Sequence, residues 1–223
     1  MAVYAVIPVK TLNESKQRLS SVFTPQERRQ LTLAMLNDVL NALKGSKINK
    51  IVISATDPEV HQIAKKSSIT YFSPSQEGLN QAIDQATTWC IKDGADSILV
   101  LPADLPFLTT QEINHVITIG KTESSLIVIC PSWDLGTNAL FQKSTKQISA
   151  HFGPNSFIEH TRQAYCNRVS VWIHFSPGIS TDIDSEKDLN KLFEIKSNTE
   201  CKKVLEKLTA KSKTRKAWVI QNS

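Results

Sequence analysis

Apolar residues in this chain gather in short dense runs separated by longer amphipathic stretches. Val3 to Val9, Ile51 to Ile53, Ile69 to Phe72 and Ile98 to Leu101 are runs of the first kind. Short runs that are apolar at consecutive positions predict strands buried on both faces, as in a parallel sheet. Between the first two runs, Leu31, Ala34, Met35, Val39 and Leu43 recur at helical spacing. That stripe follows Thr24-Pro25-Gln26-Glu27 and stops at Gly45. The spacing predicts a helix with Thr24 as N-cap, Pro25 in the first turn, Glu27 closing a capping box and Gly45 ending it. Further helices are predicted from Asp57-Pro58 to about Lys66, from about Leu79 to Ile91, and from Thr109 to about Ile119. Strand and helix thus alternate, which predicts an α/β fold around a doubly wound, mostly parallel sheet with right-handed crossovers.

The second half departs from that rhythm. Strands are predicted at Ser125 to Cys130 and at Arg168 to Phe175, with a helix between them from Gly153-Pro154 to about Tyr165. Between the first of these strands and the helix lies Gly136-Thr137-Asn138, whose side chains offer donors. A helix that opens after Gly153-Pro154 would leave its first N–H groups, with the Ser156 hydroxyl, free to hold an anion. His160, one turn on, either faces the same site or packs.

The stretch Ser97 to Pro106 organises the chain. Its apolar run stops at Asp104, which is held between Pro102 and Pro106. In open α/β sheets ligands bind beyond the carboxyl ends of the strands. Asp104 there is either a ligand for a hard cation such as magnesium or the cap of a turn. After the first strand, Lys10, Lys16 and Arg18 fall within one loop, where cations suit a polyphosphate. Neither GxGxxG nor GxxxxGK[ST] occurs, so the dinucleotide fingerprint and the P-loop are excluded. Gly78 at a helix start permits close approach of a ligand, and Asn80 can hydrogen-bond a base or ribose. Late in the chain, Asp182 and Asp184 fall on one side of an extended segment, where they repel unless a cation lies between them. One of them, or Ser185, would cap the helix that follows.

Charge and composition narrow the setting. The chain has 223 residues, 40% of them hydrophobic, enough for one well-packed domain. No apolar run approaches the roughly 20 residues of a membrane span, and Pro8 comes too soon for a signal peptide. The four cysteines, Cys90, Cys130, Cys166 and Cys201, are far apart and without a CxxC, which suits buried thiols in a reducing cytoplasm and not zinc. The net charge of +5 comes from the C-terminus, where Lys202, Lys203, Lys207, Lys211, Lys213, Arg215 and Lys216 face one acid, Glu206. The expected organisation is a single domain over residues 1–195 and a basic tail or solvated helix over 196–223. A basic tail can touch nucleic acid or membrane, but the rest is near neutral, so no nucleic-acid partner is expected.

Taken together and in order, several motifs carry a resemblance. They are Pro8-Val9-Lys10 with Lys16 and Arg18-Leu19, Pro102-Ala103-Asp104-Leu105-Pro106, Gly136-Thr137-Asn138-Ala139-Leu140, Phe152-Gly153-Pro154-Asn155-Ser156-Phe157 with His160, and Asp182-Ile183-Asp184 before Asp188-Leu189. From about residue 3 to 195 the chain resembles the 2-phospho-L-lactate guanylyltransferase family, often called CofC, among the MobA-like nucleotidyltransferases. The resemblance implies a three-layer Rossmann-type fold, like that of nucleotide-diphospho-sugar transferases, with an antiparallel strand in the second half. It implies a reaction joining 2-phospholactate to the GMP part of GTP, releasing pyrophosphate, on the way to the deazaflavin coenzyme F-420. Some relatives use phosphoenolpyruvate or 3-phosphoglycerate.

The resemblance further implies magnesium on Asp104 and on one acid of the Asp182/Asp184 pair, here Asp182. Lys10, Lys16 and Arg18 would face the triphosphate, with Asp104 completing the catalytic set. Gly78 and Asn80 would join Lys10 and Lys16 around the nucleotide, and Thr137, Gly153 and Ser156 would hold the phosphoacid. Where relatives have Thr-Pro-Glu after the second acid, this chain has Ser185-Glu186-Lys187. A homodimer is expected, paired through the tail or through a hairpin arm between about Thr137 and His151. Other readings are another MobA-like transferase, a glycosyltransferase using Asp182-Ile183-Asp184, and a non-catalytic nucleotide-binding protein.

Overall fold

A computed structural model describes residues 1–123, 125–144, 147–194 and 198–210. Seven strands form one sheet in the order β3-β2-β1-β4-β6-β5-β7. They are β1 (Val3–Pro8), β2 (Lys50–Ser54), β3 (Thr70–Phe72), β4 (Ser97–Val100), β5 (Leu126–Pro131), β6 (Thr137–Lys143) and β7 (Ser170–Ile173). β1 pairs in parallel with β2 and β4, β2 with β3, and β5 with β7. β6 runs antiparallel to both of its neighbours, β4 and β5. The expected mostly parallel sheet with an antiparallel strand in the second half is therefore what forms. One expectation fails: Thr137–Lys143 is no protruding arm, because it fills the gap between β4 and β5 and is buried along nearly its whole length.

The helices are α1 (Pro25–Lys44), α2 (Pro58–Lys66), α3 (Leu79–Lys92), α4 (Thr110–Gly120), α5 (Ser156–Cys166), the short α6 (Pro177–Ser180), α7 (Glu186–Glu194) and α8 (Glu200–Ala210). Capping boxes close the starts of α1 (Thr24 and Glu27) and α4 (Thr109 and Glu112). The strand alternation sorts the core into two layers. Val3, Ala5 and Ile7 of β1 and Leu99 of β4 pack with α1, α2 and α4 on one face of the sheet. Tyr4, Val6, Ile98 and Val100 pack with α3 and Ala164 of α5 on the other. Cys90, Cys130 and Cys201 are buried free thiols, while Cys166 is exposed.

The C-terminal stretch differs from expectation. α8 is not a solvated appendage. Its Cys201, Leu205 and Leu208 are buried against Leu31, Ala34 and Met35 of α1 and Leu189 and Leu192 of α7. Asp38 of α1 caps it, accepting from the Glu200 and Cys201 N–H groups at 2.7 and 2.9 Å. The basic side chains ride on the outer face of a helix that belongs to the domain. Residues 211–223, with Lys211, Lys213, Arg215 and Lys216, lie outside the described residues. No described helix is long and apolar enough to cross a membrane.

Candidate active site

The strand order reverses its direction of growth between β1 and β4, and the chemistry gathers at their carboxyl ends, where such sheets bind ligands. Lys16 and Arg18 follow β1, and Asp104 follows β4. Lys16 Nζ lies 2.6 Å from Asp104 Oδ2 and 3.5 Å from Asp184 Oδ1, and Arg18 Nη1 is 2.9 Å from Asp184 Oδ2. The Ile183 N–H donates to the Asp104 carbonyl at 3.2 Å, which lays the 182–184 segment along Asp104. The ion pairs of Asp184 with Lys16 and Arg18 join residues 168 and 166 apart in sequence.

The electrostatics of this cluster are strained in the way a cation relieves. The Lys16 side chain is only 6% exposed. Burial alone would lower its pKa, but Asp104 and then Asp184 outweigh this and raise it above the usual lysine value. Asp182 is pushed upward, first by burial and then by the negative charge of Asp104. Asn138 of β6 holds Asp182 with an Nδ2–Oδ1 contact of 3.3 Å while donating to the Ile179 carbonyl at 2.9 Å. Asp182 is thus the acid that shares a field with Asp104, whereas Asp184 is spent on Lys16 and Arg18. Neither caps α7: Asp188 does so from within, accepting from the Ser185 N–H at 2.8 Å and from the Ser185 hydroxyl at 2.7 Å.

Among the described residues no three His, Cys, Asp or Glu side chains form a ready-made metal cage. An all-oxygen pair, Asp104 and Asp182, fits a hard cation that keeps water and substrate phosphates as its other ligands, as magnesium does. The residues present therefore fit such an ion.

α6 sets where this acidic segment starts. Glu112, already in the α4 capping box, also accepts from the Gly178 N–H at 2.8 Å and from the Ser176 hydroxyl. A Cβ on Gly178 would stand 2.4 Å from the Phe107 carbonyl oxygen, so only glycine passes here. Sequence reasoning missed Glu112. Its three-residue offset from Thr109 signals only a capping box, which hides its second task.

Lys10 and Gly78 lie elsewhere, around a cavity of about 700 Å³ at the carboxyl ends of β1 and β2 and the start of α3. Pro8, Ser54, Thr56, Ser75 and Glu77 also line it. That volume is within the range of small-molecule sites. Gly78 has φ +106°, which lets the chain turn directly from this wall into α3. Asn80 does not point a free amide at the cavity. It accepts from the Phe152 N–H at 2.6 Å and donates to the Phe152 carbonyl at 3.2 Å, so it ties α3 to the 152–155 loop.

That loop carries the second correction. The start of α5 is not open. The Ser156 N–H donates to the Gly153 carbonyl at 3.1 Å, Phe157 to Leu135 at 3.1 Å and Ile158 to Asn155 at 3.1 Å. Ser156 is fully buried, and its hydroxyl donates to Thr137 Oγ1 at 3.1 Å. His160, also fully buried, is a packing histidine with a fixed proton. The His151 N–H donates to its Nε2 at 3.0 Å, so the proton sits on Nδ1 and is donated to Thr137 Oγ1 at 3.0 Å. The Thr137 oxygen accepts twice, which leaves its own proton for an outside acceptor. His160 cannot act as base toward Thr137 because it is the donor. Only Gly153, with φ +131° and open space beside its Cα, keeps the geometry of a close anion approach.

Burial, with a smaller push from His151, lowers the His160 pKa to about 4 from 6.5. Between those values the unfolded chain binds a proton that the folded chain refuses, so stability falls as pH falls, by on the order of 3 kcal/mol. The melting temperature is expected to drop more steeply from pH 6.5 to 4 in the parent protein than in His160→Gln. Parallel profiles would contradict this assignment.

The comparisons with known proteins meet this geometry. A model of the family described as "Guanylyl transferase CofC like" matches residues 3–220. The chain belongs to the CofC guanylyltransferase family. It is accordingly a nucleotidyltransferase by family, and the match runs past residue 195 through α8. The chain is 32% identical over 192 residues to a phosphoenolpyruvate guanylyltransferase of Rubrobacter xylanophilus, covering 86% of this chain and 94% of that protein. It is 33% identical over 204 residues to a 2-phospho-L-lactate guanylyltransferase of Methanocaldococcus jannaschii, covering 91% of this chain and 88% of that one. In fold, the CofC chain is similar to a solved structure from Desulfovibrio desulfuricans G20 described as a nucleotide-diphospho-sugar transferase, with TM-score 0.80, 16% identity, and coverage of 100% and 99% of the two chains.

Proposed function

We propose that this protein joins 2-phospho-L-lactate to the GMP moiety of GTP, giving lactyl-2-diphospho-5′-guanosine and pyrophosphate, in the making of coenzyme F-420. The observation that carries this reading is the pairing of CofC family membership with Lys16, Arg18, Asp104 and Asp182 gathered at the sheet's switch point. Phosphoenolpyruvate is the second acceptor to weigh, because relatives bearing either name are about equally similar.

The reaction needs little covalent help. A phosphate oxygen of the acceptor forms a bond to the α-phosphorus of GTP, and the bond from that phosphorus to the bridging oxygen of pyrophosphate breaks. The acceptor phosphate is ionised near neutral pH, so no residue has to remove a proton. The barrier lies in bringing two polyanions together. Magnesium held by Asp104 and Asp182 would supply charge neutralisation on the phosphate oxygens. Lys16 and Arg18, swung from Asp104 and Asp184, stabilise the departing pyrophosphate, with Lys10 at the mouth of the neighbouring cavity. The cavity beside Gly78 takes the nucleoside, and Asn80 holds its wall in place. Thr137, its hydroxyl aimed by His160 and Ser156, donates to the phosphoacid near Gly153, which orients the acceptor for in-line attack. The protein acts in the cytoplasm as a homodimer.

Pyrophosphate release from GTP and magnesium tests this directly, with 2-phospho-L-lactate, phosphoenolpyruvate, 3-phosphoglycerate or no acceptor. Release that depends on 2-phospho-L-lactate is expected. Dependence on phosphoenolpyruvate alone transfers the assignment to the second acceptor. A folded protein that binds GTP but releases no pyrophosphate with any acceptor would overturn the reading.

A further inference from the structure

Arg28 lies on the inner face of α1 and is 5% exposed. A buried cation without an acid is costly, and the partners of the Arg28 guanidinium among the described residues are not carboxylates. Its guanidinium goes instead to backbone oxygens. Nε donates to the Ser15 carbonyl at 3.3 Å and Nη1 to the Phe23 carbonyl at 3.0 Å. These two carbonyls bracket the 16–22 turn. Next to Arg28, the Thr32 hydroxyl lies 3.0 Å from Ser15 Oγ and 2.9 Å from the Arg28 carbonyl, and Ser15 Oγ donates to the Leu12 carbonyl at 2.7 Å.

What this clamp holds is unusual. Lys16, directly after Ser15, has φ 52° and ψ 43°, a left-handed conformation that a side-chain-bearing residue adopts only when its surroundings impose it. That kink turns the Lys16 side chain inward onto Asp104, while Arg18, two residues on, stays at the surface. A lysine at position 28 would present one compact ammonium and could not span the two carbonyls as a planar guanidinium does.

We infer that Arg28 is a positioning residue: by bridging the Ser15 and Phe23 carbonyls it holds the kinked turn that delivers Lys16 to the Asp104 carboxylate. The kinetic part of its test rests on the guanylyltransferase reading; the labelling part does not.

The first readout is the rate at which an amine-reactive ester labels Lys16 in the full chain, followed by mass spectrometry. Arg28→Lys is expected to raise labelling of Lys16 by about tenfold or more by loosening the turn, with exposed Lys65 and Lys92 unchanged. The second is a double-mutant cycle on pyrophosphate release. Arg28→Lys is expected to lower kcat by about 10- to 100-fold, the scale of a displaced catalytic group, with the acceptor KM within about twofold. In a Lys16→Ala background the same change should cost less than about twofold, because the two act as one unit. If Arg28→Lys fails to fold, Thr32→Val, which leaves the guanidinium in place, carries the same two readouts with a smaller effect. Continued protection of Lys16, or losses that add in the double variant, would overturn the inference. Faster labelling in a protein that transfers no guanylyl group in any form would leave Arg28 as the clamp and reject the functional reading instead.

Discussion

Asp104→Asn is expected to lower pyrophosphate release by about 100-fold or more at saturating GTP and acceptor, comparable to losing a strong electrostatic element. The substitution keeps the shape of the side chain and an oxygen for Lys16 Nζ, now 2.6 Å away, so the fold should persist. What it removes is the charge that, with Asp182, would hold a divalent ion. Asp104→Ala is expected to lose the same activity and also stability, because Lys16 would remain buried with only Asp184, at 3.5 Å, for a partner. A chevron or melting curve on each variant separates the two effects. Asp104→Asn with near-normal turnover would remove Asp104 from the chemistry and return it to the turn it terminates.

The strands and most helix starts were legible because each carries its own local signal. Thr24-Pro25-Gln26-Glu27 and Thr109 announce their helices by capping chemistry alone, and the alternation within residues 3–7 assigns each residue to one of two helical layers. The antiparallel strand was placed only in kind. Nothing local in Thr137–Lys143 reveals that it inserts between β4 and β5, because, although β5 is the strand just before it, the pairing with β4 is made to a partner far away in sequence. α8 misled for a related reason. Its lysines dominate the composition, while Cys201, Leu205 and Leu208, which bind it to α1, are few and spaced one turn apart.

The site divides along the same line. Asp104 stood out because two prolines isolate it at the end of a buried strand. The roles of Asn80, Ser156 and Arg28 depend on which groups lie beside them, and those come from other elements: the Phe152 backbone, the Thr137 hydroxyl, and the 15–23 turn. A helix start such as that of α5 reads as open until the loop before it and Leu135 fill its N–H groups. Charge alone was similarly incomplete. The loop cations suggested a phosphate site, but only the folded chain shows that Lys16 and Arg18 already have carboxylate partners.

Those partners lead to the second large effect. Lys16→Gln is expected to lower turnover by about 100-fold while making divalent-metal binding tighter. The Lys16 ammonium now balances Asp104, Asp184 and, at longer range, Asp182. A divalent ion that takes Asp104 and Asp182 has to displace that charge. Removing it leaves the carboxylates repelling one another, which favours any replacing cation. Manganese, titrated into the nucleotide-free protein and followed by its paramagnetic signal, should bind about tenfold or more tightly to Lys16→Gln than to the parent. The loss of turnover has a separate origin: in the proposed reaction the displaced ammonium would move onto the pyrophosphate, and glutamine carries no charge to bring there. A lysine that served only to hold the fold would give the opposite pairing, with metal binding unchanged or weakened as the acids drift apart. Tighter manganese together with slower transfer therefore assigns Lys16 both tasks, guarding the acidic pair before the reaction and stabilising the leaving group during it.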